Sequence, residues 1–401
     1  MIRNIAEAEF YKFLGKPVGF NPCPDYKHLS ELAEIATLIL ESSLAPWQRI
    51  AALKTLFFPA LQFPMRNSQF DKTKWAEIDS FIRPEIKNTL SLPERACNDY
   101  LYASRKVGAI GLPIAAEDAD IHRIDTAFKL LTSKDSGVSD LAFSELSSTV
   151  KFRLRKQDLD DNDIGNFLSG EAKALQFDHS NLWTCARMAS ARQGIRWEFV
   201  DKEPRLLFGD RVLKASNRKK ILFSLRDRLK LLRDDSLLAK PDQGKVMEVV
   251  AQSSASSHCI ANGNYTRFSE WRFVHKARTN TLPLNGNRPW DRSGSTACRR
   301  CDECDLETLA HVLNHCKGRS RGWQLRHNSI SDRLKQALLF DGCALISENQ
   351  SIGPDNLRPD LVFRKGNDIY IIDVTCPFEN RLEAFSDARK HKLEKYAPLI
   401  P

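Results

Sequence analysis

The sequence predicts a mainly α-helical protein with a small cysteine-rich module and a short α/β segment at its C-terminal end. Three observations predict it. Apolar residues recur at three- and four-residue steps over most of residues 26–130. Four of the ten cysteines fall within nineteen residues, beginning at Cys298. The last fifty residues read as strand, turn, strand and helix. The length, 401 residues, suggests two or three domains.

Composition narrows the class. Apolar residues make up 42%, enough for real cores, which excludes a disordered chain. No run approaches the length of about eighteen apolar residues that a membrane helix needs. "MIRNIAEAEFYKFLG" lacks the central apolar run of a signal peptide. A soluble, intracellular chain with no membrane partner is therefore expected. Lys and Arg outnumber Asp and Glu by 60 to 51, which favours a polyanionic partner.

The elements follow in order. "FYKFLGKPVGFNPCPD" carries Gly15, Pro17, Gly19, Pro22 and Pro24, so a strand or hairpin followed by a loop is expected within residues 1–25. "LSELAEIATLILESS" places Leu29, Leu32, Ile35, Ala36 and Ile39 on one helical face. Pro46 marks a helix start, and helical spacing continues to Pro59. A third helix is expected from Lys72 to Leu90, so residues 26–130 form a helical bundle. Residues 132–150, rich in Ser, Asp and Gly, read as a linker or a loose helix pair. Residues 151–250 read as polar helix, and 253–268 as a second boundary, within a helical linker region of 131–290. From Arg211 to Arg233 there are nine Lys or Arg against one acidic residue, a balance that suits phosphate. "NRKK" at 217–220 matches a short nuclear signal.

"ACRRCDECDLETLAHVLNHCKG" offers Cys298, Cys301, Cys304, His311, His315 and Cys316 for the four places of a tetrahedral zinc. A C-x-x-C turn aims two thiolates at one point, and a helix over "LETLAHVLNHC" presents the second pair. The chosen set is Cys298, Cys301, His311 and Cys316. Cys304 can replace Cys298, and His315 can compete with Cys316. A closed site of this kind is structural. Scattered Cys23, Cys97, Cys185, Cys259, Cys343 and Cys376 read as small core residues. Across 317–335 six basic residues face only Asp332, so Arg319 and Arg321 are candidates for a phosphate backbone.

In "RPDLVFRKGNDIYIIDVTCPFE" Asp373 ends a strand of Ile369, Tyr370, Ile371 and Ile372. The turn "RKGND" brings Asp360 back beside it. Two converging carboxylates repel unless a cation joins them, and Mg²⁺ with its waters suits such a pair. The motif resembles that of PD-(D/E)xK nucleases, with Thr375 at the usual lysine position. "FSDARKHKLEKY" reads as a helix whose Lys392 can replace the missing lysine, with Tyr396 on the same face.

"ETLAHVLNHC", "RHNSI", "LRPDLVF", "IIDVTCPFE" and "KLEKY" together resemble the C-terminal half of site-specific non-LTR retrotransposon polyproteins that carry a restriction-like endonuclease. "FYKFLGKPVGF" resembles the primer grip at the end of a reverse transcriptase palm. "LAPWQRIAALKTLFFPALQF", "IDSFIRPEIKNTLSLP" and "GAIGLP" resemble the thumb. The resemblance implies a palm remnant at 1–25, a thumb-like bundle at 26–130, a zinc knuckle at 291–325 and an α/β PD-(D/E)xK-like nuclease core at 326–401. It implies DNA and RNA partners, the rest of a polyprotein, a nuclear location, and nicking of target DNA for target-primed reverse transcription. Asp360 and Asp373 would be metal-binding catalytic acids and Lys392 the catalytic lysine. Arg326 and His327 match an Arg-His pair expected to contact DNA, and Glu379 matches a position without an assigned role. No polymerase motif is present, since Asp160-Asp161 and Asp234-Asp235 stand in the wrong context. The chain stops soon after "KYAPL", so a truncated element, or a remnant that binds without cutting, is the alternative expectation.

Overall fold

The computed structural model describes residues 10–13, 16–19, 26–67, 70–175, 181–288, 294–353 and 355–399. Cys23 and the loop expected after the first hairpin lie outside them. The chain divides into two units. The first comprises 1–90, 98–104 and 110–234, the second 91–97, 105–109 and 235–401.

The first unit opens with a hairpin of β1 (Phe10–Phe13) and β2 (Lys16–Gly19), with Phe10 opposite Gly19. Helix α1 (Tyr26–Glu41) buries Leu29, Leu32, Ala36 and Leu40. Helix α2 (Pro46–Ala52) starts at its proline, whose missing N–H costs nothing there. The helical path does not stop at Pro59. A π turn at Leu53–Phe57 leads into α3 (Phe58–Ala60), where Pro59 occupies a first-turn position, and then α4 (Gln62–Asn67). Helix α5 (Lys72–Thr89) buries Trp75, Ile78, Ile82 and Ile86, spaced three and four apart. Each such side chain contributes about 1.5–3 kcal/mol on leaving water. A short α6 (Asp99–Tyr102) precedes α7 (Ala115–Leu131).

Two expectations fail after α7. Residues 132–150 are neither a linker nor a helix pair. From Ser136 onward they belong to one helix, α8 (Ser136–Leu154), started by the Asp135 side chain, which accepts from the Val138 N–H at 3.3 Å. Its serines face outward, while Ala142, Leu146 and Val150 supply the four-residue apolar spacing. Residues 151–250 are not all helical. After α9 (Asp161–Ser169) and α10 (Leu182–Gln193) comes an antiparallel sheet of β3 (Arg196–Val200), β4 (Glu203–Phe208) and β5 (Arg211–Leu213). Trp197 and Phe199 point inward and Arg196 and Glu198 outward, a period of two that polar composition hides. Helices α7 to α10 and this sheet share one core, with Phe128, Leu146, Phe167, Trp183 and Trp197 at its centre.

Five of the nine cations in the basic run have partners within the protein, while Lys214, Lys219, Lys220 and Lys230 stay exposed. Within the first part of α11 (Ile221–Leu238), Arg226 makes a two-pronged pair with Asp118 at 3.0 and 2.9 Å, and Arg228 donates to the Gln193 carbonyl. Arg233 pairs with Glu117, Arg211 with Asp227 at 3.0 Å, and Arg218 donates to the Lys129 carbonyl. The aspartate pairs also have structural work. Asp160 caps α9 by accepting the Asp163 N–H at 2.7 Å, and buried Asp234 accepts the Ser104 N–H and hydroxyl at 2.6 and 2.7 Å.

The second unit holds α12 (Gln243–Val250), α13 (His258–Asn262), α14 (Phe268–Arg278), α15 (Ser320–Phe340), a sheet and α16 (Glu383–Tyr396). The sheet has the order β6 (Ala344–Glu348), β7 (Leu361–Lys365), β8 (Asp368–Ile372), antiparallel throughout. Leu361, Phe363 and Cys343 form its core with Leu338 and Ile372. Strand β8 is less buried than its sequence suggests: Ile369 and Tyr370 are exposed. Among the described residues, no helix is long and apolar enough to cross a membrane.

One contact in the first unit is testable through pH. Helix α7 has Ile114 in the capping position, which offers no side-chain acceptor. Asp79 of α5 fills that role by accepting the Ala115 and Ala116 N–H groups at 2.8 and 2.9 Å. Burial raises its carboxyl from 3.8 to about 6, against the pull of those two N–H groups. A raised folded value means that the linked stability is full below the unfolded value and is lost as pH climbs through the folded one. Wild-type protein should lose on the order of 3 kcal/mol between pH 4 and 6 through this group. Urea titrations of Asp79→Asn should lack that component. An identical pH dependence in the variant would remove Asp79 as its source.

Candidate functional site

All the residues that follow belong to the second unit. Cys298, Cys301, His311 and Cys316 bring three sulfurs and one imidazole nitrogen within 4.8 Å of one another, a set that could hold a metal ion. The Cys298 and Cys316 sulfurs stand 3.8 Å apart, and Cys301 Sγ lies 3.3 Å from His311 Nε2. Thiolates held at about 2.3 Å from a tetrahedral ion are themselves about 3.8 Å apart, the spacing that Cys298 and Cys316 show. Cys304 and His315 stand outside the cluster. The Cys304 thiol donates to the Leu306 carbonyl at 3.2 Å, and its own carbonyl accepts the Cys298 N–H at 2.9 Å. His315 is exposed.

The long helix expected over "LETLAHVLNHC" is instead a π turn at His311–His315. Its closing bond runs from the Cys316 N–H to the His311 carbonyl, five residues back, at 2.8 Å. A turn of that width brings residues five apart to one side. This is why Cys316, and not His315, joins His311. Gly318 follows at a point where a Cβ would overlap the Arg300 carbonyl.

The cluster has a carboxylate behind it that the sequence did not single out. Glu307 is fully buried, and Arg299 Nε donates to its two oxygens at 3.1 and 2.9 Å. It also accepts the Asn285 N–H at 2.9 Å. Its Oε1 lies 4.0 Å from Cys298 Sγ. Despite its burial, its carboxyl sits below the usual range because Arg299 and these N–H groups favour the charged form. Burial opposes ionisation of Cys298, yet the Arg300 and Cys301 N–H groups and His311 bring its thiol down to about 7. The Glu303 N–H favours the Cys301 thiolate. Desolvation and the neighbouring Cys298 and Cys316 thiols outweigh it and push Cys301 up to about 11. The thiols oppose one another's ionisation, a conflict that a bound cation relieves.

The second constellation lies at the end of the sheet. Leu361 pairs with Ile372, so the same register continued by one residue sets Asp360 opposite Asp373. Asp360 Oδ2 accepts the Val374 N–H at 2.6 Å and lies 3.1 Å from His327 Nε2 on α15. Asp373 Oδ1 accepts the Tyr396 hydroxyl at 2.7 Å, and Asp373 Oδ2 is ion-paired with Lys392, both partners coming from α16. The Tyr396 hydroxyl lies 2.8 Å from the Arg358 carbonyl. Burial first, then the Asp373 carboxylate, raises the Tyr396 phenol above its ordinary value. Lys392 thus reaches Asp373 from α16. The geometry brings together Asp360, Asp373, Lys392 and His327, and adds Tyr396, whose spacing to Lys392 was the only signal for it.

The remaining candidates have other surroundings. Arg326 donates to Asn314 Oδ1 at 2.8 Å and to the Leu313 carbonyl at 3.4 Å, so it fastens α15 to the π turn. Asn314 Nδ2 in turn donates to the Cys376 carbonyl at 2.9 Å. Arg319 and Arg321 are exposed at the start of α15. Glu379 is exposed just beyond β8.

No protein-family model matches the chain. It is 34% identical over 136 residues to the retrovirus-related Pol polyprotein of the type-1 retrotransposable element R2 of Nasonia vitripennis, covering 32% of this chain and 13% of that one. It is 22% identical over 408 aligned positions to the corresponding polyprotein of Bradysia coprophila, covering 98% of this chain and 38% of that one. It is also 23% identical over 305 residues to an uncharacterized protein of Caenorhabditis elegans, covering 71% and 87%. The chain thus spans well under half the length of the polyproteins it matches. The matches support a retrotransposon-related protein.

Metal content separates the six candidate ligands. Mass spectrometry of purified protein should find one ion per chain, lost in Cys316→Ser and kept in Cys304→Ser and His315→Ala. Loss in either of the last two would put the ion elsewhere.

Proposed function

We propose that this chain is a Mg²⁺-dependent DNA endonuclease module of a non-LTR retrotransposon polyprotein, nicking target DNA for target-primed reverse transcription in the nucleus. The observation that carries the reading is the convergence of Asp360 and Asp373 from paired strands with Lys392 from α16. In this reading the hairpin ends a palm, residues 26–130 are the thumb, 291–325 a zinc knuckle and 326–401 the nuclease core. Its partners are DNA, RNA and the rest of the polyprotein. The three thiols and imidazole suit zinc, which would organise the module and do no chemistry.

Hydrolysis adds water across a P–O bond: the water oxygen binds phosphorus and the ester oxygen leaves with a proton. Asp360 and Asp373 are the residues that would hold the divalent ion, since two opposed carboxylates offer hard oxygen ligands. Bound there, the ion supplies a more acidic water and neutralises charge on the phosphate. The Lys392 ammonium, already against Asp373, orients the attacking water and balances the phosphate charge. His327 holds Asp360, and the Tyr396 hydroxyl holds Asp373, so each carboxylate presents a fixed oxygen.

Supercoiled plasmid tests the reading. With Mg²⁺ the protein should nick it, and Asp360→Ala, Asp373→Ala or Lys392→Ala should each lower the rate by about a hundredfold or more. Tyr396→Phe should cost about tenfold, because it loosens Asp373 without removing a ligand. Absence of nicking in protein that keeps its metal and still binds DNA would mean a remnant that binds without cutting.

A further inference from the structure

A cleft of about 570 Å³ opens in the second unit, between the start of α12, the end of α14, the π turn and the segment after β8. That size suits one small planar ligand. Its lining combines two kinds of surface. Phe378 contributes a flat apolar face. Around it stand Gln243, Lys245, Asn287, His315 and Asn380, together with the carboxylates of Asp242 and Glu379. Several of these polar groups still have hydrogen-bonding capacity. Gln243 and Asn287 donate through their amide nitrogens to the Thr279 carbonyl and to Asn280 Oδ1, at 3.3 and 2.8 Å, which leaves their oxygens as acceptors. The side chains of Lys245, His315 and Asn380 make no hydrogen bond among the described residues.

A flat ring edged by mixed donors and acceptors, with a cation beside it, is the complement of that lining. We infer that this cleft takes one unpaired nucleobase of a nucleic-acid strand, with Phe378 stacked on its face, the amides on its edge and Lys245 on its phosphate. The inference rests on the nucleic-acid reading above and names a contact that reading does not contain. Its position supports it. Phe378 follows Asp373 by five residues, so the two are at most about 18 Å apart along the chain. The floor of the cleft is also tied to the strand end, through the bond from Asn314 to the Cys376 carbonyl. A strand crossing the carboxylates therefore has a base within reach of the cleft. A paired base cannot enter, because its edge is occupied and its faces are stacked.

Fluorescence anisotropy with a short labelled oligonucleotide tests this, with no magnesium added so that cutting plays no part. Three probes of one sequence are compared: single-stranded DNA, single-stranded RNA and duplex DNA. Single strands should bind, and Phe378→Ala should weaken them by about tenfold while leaving the duplex unchanged. Phe378→Leu keeps the volume without the aromatic face and should behave like the alanine variant, with unchanged metal content as the check on folding. Lys245→Ala should weaken single strands and flatten their salt dependence. A DNA preference assigns the cleft to a target strand and an RNA preference to a template. Equal single-strand affinity in wild type, Phe378→Leu and Lys245→Ala overturns the inference, as does an absence of single-strand binding. Each reading can fail alone: a protein that binds as described but never nicks keeps the cleft, and one that nicks with no effect of Phe378 loses it.

Discussion

The hydrogen bond from the Cys316 N–H to the His311 carbonyl decides how the second unit is arranged. It widens one helical turn so that residues five apart face the same way. Cys316 thereby meets Cys298, and His311 meets Cys301. The same turn aims Asn314 at the Cys376 carbonyl and leaves the Leu313 carbonyl and Asn314 Oδ1 to Arg326. Trp323 Nε1 also donates to the Cys316 carbonyl at 3.3 Å. Helix α15 is thus fastened at its first turns, and the next residue along it, His327, stands against Asp360. The metal-type cluster and the carboxylate pair are consecutive links in one network.

What the sequence made legible was chemistry repeated at short range. The cysteine spacing pointed to a cluster, and the alternation through Ile369 to Asp373 pointed to a strand with an odd carboxylate. Both signals are local, because thiols three residues apart and side chains on a pleat are neighbours by covalent geometry. What stayed hidden was long-range or hidden by composition. Glu307 reads as one more charged residue in "DLETLA", and only its burial beneath Arg299 gives it meaning. His327 precedes Asp360 by 33 residues, so its contact with that carboxylate has no periodic trace. Helix α8 was obscured by serines and a glycine that low propensity marks as loop, although its apolar spacing of four outweighs them. The sheet at 196–213 was hidden because many of its outward residues, such as Arg196, Glu198, Glu203 and Arg211, are charged.

The basic run shows that composition does not separate inward from outward charge. Nine cations and one acid suggest an external anion. Yet the acids that Arg226 and Arg233 meet, Asp118 and Glu117, lie on α7, more than a hundred residues earlier. Two further arginines, Arg218 and Arg228, go to backbone carbonyls at the end of α7 and of α10. Guanidinium groups with several donors suit both tasks, since each can satisfy carbonyls that a helix leaves bare. Net charge along a segment therefore says little about its outer face until the partners across the core are known.

Asp79 has one more consequence, for the order in which the first unit assembles. Most helices begin with a residue that satisfies their own first amides, so their ends can form from local chain alone. Helix α7 has only Ile114 at that place, and its acceptor comes from a helix 36 residues upstream. Nucleation is the costly step of helix formation, and here the first amides find their acceptor only where α5 is in place. Helix α7 supplies much of the core onto which α8, α9 and α10 pack. The start of that core is thereby held by a tertiary contact, so the N-terminal bundle and the core beyond it are coupled through one carboxylate.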